Sequence, residues 1–279
     1  PDAAMRHVDA YVRSGRPIVG LRTATHAFAP RADSAYAGYG WNHGGERWPG
    51  GFGRGILGET WIAHHGAHGR EGTRGRTAPG AGDHPVLRGL ADGSVFADTN
   101  VYGVRLPLPE DCVPLVLAEV TATRSADAPA VDGPKNEPMM PLAWTRRMPV
   151  GAEAARDDGD GGGDDDAAAP RERRVFTTTL GSSVDLADAG ARRLVLQGAF
   201  WALGLEDAIP ADGIDVGIVG DYEPTPQGFG GFRRGVRPSD LPGWEPPAAS
   251  AAGNAAGAGA AAPPTARLEL PDGGTLVVA

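Results

Sequence analysis

The chain has 279 residues, 41% of them hydrophobic, enough for one large α/β domain or two small ones, and its 43 Gly and 25 Pro call for long loops. No run of about 18 apolar residues is present to span a membrane as a helix. The net charge of −9 is concentrated: 151–169 holds seven carboxylates against Arg156 alone, so the rest is close to neutral and shows no clustered basic footprint for nucleic acid.

In chain order, Met5, Val8 and Val12 recur at helical spacing with Gly15 as a stop, which predicts a helix over 3–14. The run 17–21 then reads as a buried parallel strand that ends near Gly20 and turns abruptly polar. In open α/β sheets ligands bind beyond the carboxyl ends of such strands. That singles out Arg22 and Thr23 as ligand-binding candidates, Arg22 through its planar donor fork. A structural Arg tying down the following loop is the competing role. A parallel sheet that opens with a helix before its first readable strand is expected to have earlier strands. An uncovered edge left by their loss would favour self-association into a homo-oligomer.

Residues 27–100 are rich in Gly, His, Trp and Arg and too long for an ordinary connection, which points to function. Six of the seven histidines fall within it or at its start: His26, His43, His64, His65, His68 and His84. Imidazoles serve as general bases and metal ligands. His26, His64 and His65 are the candidate general bases. His64 and His68 have i, i+4 spacing, but Gly66 and Gly69 argue against a helix and no Cys-x-x-Cys or His-Glu-x-x-His pattern accompanies them, so no metal is assigned. His84, before Pro85, reads as a structural turn. Trp41, Trp48 and Trp61 offer flat faces to a sugar ring, or form the loop's own small core.

Further along, 101–106, 113–121, 139–145 and 174–179 read as strands, with the acidic loop 151–169 as a disordered insertion between the last two. Cys112, the single cysteine, excludes an internal disulfide framework, leaves the compartment open and reads as a buried thiol. Ser182 and Asp185 follow the last strand and join Arg22 and Thr23 as ligand-binding candidates. Asp185 is a candidate to orient a pocket histidine, or else a helix cap. Helix 188–203 is apolar on most sides and therefore buried, with Asp185 or Asp188 to cap its start. The Gly-rich stretch 228–235 lacks the flanking strand and helix of a phosphate loop. Residues 244–266 form a Pro/Ala/Gly linker, and 267–279 reads as a hairpin around Pro271-Asp272-Gly273-Gly274, expected either to dock on the main domain or to open a second one.

Taken together, Gly20-Leu21-Arg22-Thr23-Ala24-Thr25-His26, Gly55-Ile56-Leu57-Gly58 with His64-His65-Gly66, His84-Pro85-Val86-Leu87-Arg88-Gly89, Pro141-Leu142-Ala143-Trp144-Thr145 and Val175-Phe176-Thr177-Thr178-Thr179-Leu180-Gly181 make 3–242 resemble the ThuA-like (trehalose-utilisation) family of the class I glutamine-amidotransferase-like superfamily. The resemblance implies a flavodoxin-like three-layer α/β sandwich with a mainly parallel sheet over 1–243, short of its N-terminal strands. It also implies a link to carbohydrate metabolism, with a sugar or similar small polar metabolite as partner and no cofactor. Arg22 stands where the superfamily has its nucleophilic Cys, and Ser182 where it has the triad His. An Arg cannot attack a carbonyl, so amidotransferase activity is not expected. Two functions follow: a non-amidotransferase enzyme using His26, His64 or His65 as base, or a non-catalytic binding domain with a degenerate site. Convergence of Arg22, the histidines and Asp185 on one cleft would favour the first.

Overall fold

The computed structural model describes residues 2–45, 49–149, 172–225, 235–237, 240, 266–269 and 275–278. The acidic stretch 151–169, most of the Gly-rich stretch 228–235, the linker up to residue 265, the hairpin turn 271–274 and Trp48 lie outside the described residues. The chain divides into two compact units, Pro1–Thr225 and Pro226–Ala279.

The first unit opens with helix α1 (Asp2–Arg13) and strand β1 (Ile18–Leu21). The long following segment contributes the short strands β2 (Ala63–His65), β3 (Gly72–Thr77), β4 (Val95–Ala97) and β5 (Val101–Gly103). Three longer strands then follow, β6 (Cys112–Thr121), β7 (Met140–Pro149) and β8 (Glu172–Thr178), before helix α2 (Ala189–Ala202). In the second unit β9 (Ala266–Glu269) pairs antiparallel with β10 (Thr275–Val278).

The main sheet has the order β1-β8-β7-β6-β3-β4. Only β1 and β8 run parallel, in register Gly20 with Thr177; β8-β7, β7-β6, β6-β3 and β3-β4 are antiparallel. The sheet is thus mixed and curls into a half-barrel. This overturns the expectation of a flavodoxin-like sandwich with a mainly parallel sheet. The physical reason lies in the connections. Each parallel neighbour needs a crossover of a dozen or more residues, usually a helix. Among the described residues only α1 and α2 are α-helical, so most neighbours pair antiparallel. The expectation of a sheet strand over 101–106 is corrected as well. It stops at Gly103 and pairs with β2 in a separate two-stranded ribbon.

Helix α2 packs on the sheet through Ala191, Leu194, Gly198 and Trp201, in a core with Leu115, Leu142, Phe176 and Leu180. Asp188 caps it, accepting the amide of Ala191 at 2.7 Å. The approach is close enough that a Cβ at Gly198 would lie 2.4 Å from the Phe176 ring. A second cluster joins Val12 of α1 to Tyr39, Phe52, Ile56, Leu57 and Val175. It seats a wide helical turn, Gly53–Leu57, against β8. The Leu57 carbonyl at its end accepts from Trp144 Nε1 at 2.7 Å and Thr177 Oγ1 at 3.1 Å. The Arg146 guanidinium satisfies the carbonyls of Arg54, Gly55 and Ile56. These bonds hold the floor from which residues 59–65 rise.

Candidate functional site

β1 ends at Leu21, and the backbone turns at Arg22 with φ +42°, the only described non-glycine residue at positive φ. Such a conformation costs a side-chain-bearing residue about 1 kcal/mol or more and persists only where the surroundings hold it. Here they do. The Arg22 side chain is buried. Its Nη1 donates to the Asn100 carbonyl at 2.9 Å and to Thr99 Oγ1 at 3.1 Å, and the guanidinium lies 4.9 Å from the centre of the Tyr102 ring. Gly181, three residues beyond the parallel neighbour β8, approaches this turn closely: it has φ +131°, and a Cβ there would lie 3.3 Å from Leu21 Cβ.

One further turn on, the short helix Arg22–His26 presents His26. Its ring packs against Trp61 at 5.1 Å and Tyr102 at 5.4 Å between centroids, and its Nδ1 lies 3.3 Å from Thr25 Oγ1. His64 arrives on β2 and meets the same two rings, Tyr102 at 5.4 Å and Trp61 at 6.2 Å, while His68 packs on His64 at 5.5 Å. His68 Nδ1 lies 3.4 Å from Asn100 Oδ1. The register His64 with Tyr102 across the β2–β5 ribbon explains the meeting: directly opposed residues bring their side chains to one face.

The electrostatics favour neutral imidazoles. His26 is held below the ordinary histidine range by burial, then by His64 and Arg22. His64 is lowered by burial, then by Arg22 and His68, with Asn100 opposing. Burial raises the Tyr102 phenol, against the pull of the Arg22 cation. Burial and the adjacent cation hold the imidazoles in the neutral form that a general base starts from, and by the same interactions weaken their basicity.

The other expected residues are placed differently. His65 follows His64 on a strand and so points to the opposite face, where its Nε2 meets the Lys135 carbonyl at 2.6 Å. Thr23 is exposed. Asp185 is fully buried and touches no imidazole. It accepts Thr99 N at 3.1 Å, Thr99 Oγ1 at 2.9 Å, Gly181 N at 3.2 Å and Ser182 N at 2.9 Å. Ser182 therefore enters through its backbone, at the start of the short helix Ser183–Ala187. Thr99 links the two charges, its hydroxyl donating to Asp185 and accepting from Arg22. Cys112 is remote in role: burial pushes its thiol up to about 12, so it offers no thiolate nucleophile. His84 caps a turn, accepting Val86 N at 3.2 Å.

Sequence reasoning missed Thr99, Asn100 and Tyr102. Asn100 and Tyr102 share the period of a strand, which is the signal that could have placed them on one face with His64. Among the described residues no three of His, Cys, Asp and Glu gather as metal ligands, and no helix is long and apolar enough to cross a membrane. Comparisons with family models, with curated proteins and with solved structures return no match.

Proposed function

We propose that this chain carries a site for a small hydroxylated metabolite of the sugar class, at which neutral His26 or His64 takes a proton from a ligand hydroxyl. The observation that carries the reading is the convergence of both imidazoles on Trp61 and Tyr102 beside the buried Arg22 cation. Aromatic faces suit the apolar faces of a sugar ring, and the imidazoles beside them suit its hydroxyls. In this reading the Arg22 turn is kin to the nucleophile turn of ThuA-like and amidotransferase-like proteins. The positive φ at Arg22 and the parallel β1–β8 pair support that kinship, and the antiparallel remainder of the sheet sets the chain apart. Without a nucleophile at the turn, acyl transfer from glutamine is not part of the proposal.

The test is a screen of mono- and disaccharides and their oxidised forms for turnover, on the parent, His26→Ala and His64→Ala. A general base contributes about 10²–10⁴ in rate. Turnover falling by that factor in one variant, with an unchanged melting temperature, supports the reading. Turnover that survives both substitutions refutes it.

A binding-only domain is the second reading, and one observation favours it. Arg22 is engaged by Thr99, Asn100 and Tyr102, and Asp185 by backbone amides, so neither charge is assigned to catalysis. Saturable binding without turnover by the parent would establish it.

A further inference from the structure

Beside the imidazole cluster, on the side of Trp61 and Trp41, a cleft of about 580 Å³ opens, lined by Trp41, His43, Arg54, Trp61, Ile62 and Arg105 among others. Its two arginines are built in. Glu59 is fully buried. Its Oε1 accepts Arg54 Nη1 at 2.6 Å, and its Oε2 accepts Arg105 Nη1 at 3.3 Å and Thr60 N at 3.0 Å. The guanidinium side chains are still 39% and 51% exposed. One buried carboxylate thus orients two cations and neutralises one, so the described residues of the wall carry a surplus positive charge. No Asp or Glu is among the described residues lining the cleft.

The walls beside the charge are aromatic. Trp41 and Trp61 meet edge to face with centroids 5.9 Å apart. Trp61 Nε1 is buried and has no hydrogen-bond acceptor among the described residues. A buried indole donor ordinarily finds one. The floor is fixed, since Thr60 Oγ1 donates to the Thr25 carbonyl at 2.8 Å, next to His26.

Resting on the sugar-site reading, we propose that the ligand is an anionic sugar, its carboxylate or phosphate seated on Arg54 and Arg105 and its ring laid along Trp61. Guanidinium forks match both anions bidentately, so the shared chemistry is a singly attached oxyanion on a polyol ring. Trp61 lines this cleft and also packs on His26 and His64. Trp61 is thus the element that the cleft and the imidazole cluster share, while His26 and His64 are not among the described residues lining the cleft.

Calorimetric titration of the full 279-residue chain tests this with glucuronate, glucose 6-phosphate and glucose as probes. The parent is expected to bind at least one anionic sugar more tightly than glucose by about 10- to 100-fold, the range of a charge-assisted contact. Raising NaCl should weaken that binding and leave any glucose binding unchanged. Preference between glucuronate and glucose 6-phosphate identifies the anion. Arg105→Ala, chosen because Glu59 keeps Arg54 as a partner, should remove the preference. Equal binding of glucose and both anions, no salt dependence, or no binding of either anion at millimolar concentration would overturn the proposal. The parent measurements decide even if the variant fails to fold. If His26→Ala abolishes turnover of a neutral sugar and charge has no effect, the site reading stands and this inference falls. If anions bind through Arg105 but His26→Ala and His64→Ala change nothing in turnover, the reverse holds.

Discussion

Replacing Arg22 by Ala tests whether this residue is a ligand clamp or a structural tie, and the geometry gives a magnitude. The substitution removes donors to the Asn100 carbonyl and Thr99 Oγ1 and the cation over Tyr102. Buried charge-assisted hydrogen bonds contribute about 1.5–3 kcal/mol, and a cation on an aromatic face adds about 0.5–1 kcal/mol. The φ of +42° is not relieved by Ala, which carries a Cβ as Arg does. The expected loss is about 2–4 kcal/mol. For a unit of this size each kcal/mol moves the melting temperature by about 2–4 °C, so Arg22→Ala should melt roughly 5–15 °C below the parent. Arg22→Gly loses the same contacts but accepts the positive φ, and should melt above Arg22→Ala, by about 1 kcal/mol. That ordering inverts the usual rule that Ala is more stabilising than Gly. Differential scanning calorimetry of the three proteins is the assay. An Arg22→Ala protein melting within a degree of the parent would refute the structural role, and Ala melting above Gly would refute the strain.

Asp185→Asn presents an amide NH₂ to four converging donors, of which one or two lose their acceptor; the cost is about 2–4 kcal/mol, read by urea denaturation, and a midpoint unchanged from the parent would contradict it. Gly198→Ala gains helix propensity of about 1 kcal/mol but drives a methyl to 2.4 Å from the Phe176 ring, so the net should be destabilising by about 1–3 kcal/mol; a stabilised variant would show that α2 sits farther from β8. His84 is lowered to about 4, by burial first and then by Arg147. The unfolded chain therefore binds a proton that the folded chain refuses between about pH 6.5 and 4. The stability is complete above 6.5 and declines as pH falls through that window, by about 1–2 kcal/mol after allowance for solvent screening at this half-buried site. His84→Asn should flatten this part of the stability–pH profile, and an unchanged slope would remove His84 as its source.

The fold was legible where apolar runs carry it. β6 and β8 are long, β-branched and bounded by turn residues, and α2 shows a broad apolar face. β3 could not be found that way, because Gly-Thr-Arg-Gly-Arg-Thr contains no large apolar side chain. It is a strand through its partners. Arg74 and Arg76 both bond Glu119 on β6, and Gly75 fits between Val116 and Val95. Strand direction was illegible for a related reason. The connection from β6 to β7 was compatible with a crossover by length, yet it doubles back beside β6. Asn136 holds it there by pairing its side chain with both the amide and the carbonyl of Val120. A single side-chain amide that imitates a ladder partner leaves no periodic signal.

The site shows the same division between residue type and residue direction. The cluster of histidines was visible, but which of His64 and His65 meets Trp61 and Tyr102 depends on β2 being a strand. Gly66 and Gly69 read as loop, and the pairing with β5 that makes it a strand is supplied 38 residues later. Arg22 was visible as a charge at a strand end, and its direction again came from a distant segment. The cation turns inward and binds 99–102, the residues that carry Asn100 and Tyr102 to the imidazoles. Asp185 grips the same segment from the β8 side through Thr99. Both charges at the ends of the parallel pair thus orient the segment that carries the aromatic platform, and under the proposed function proton transfer falls to the two imidazoles that lie on it. This is why substitutions at Arg22 and Asp185 are expected to appear first in melting temperature, and substitutions at His26 and His64 first in turnover.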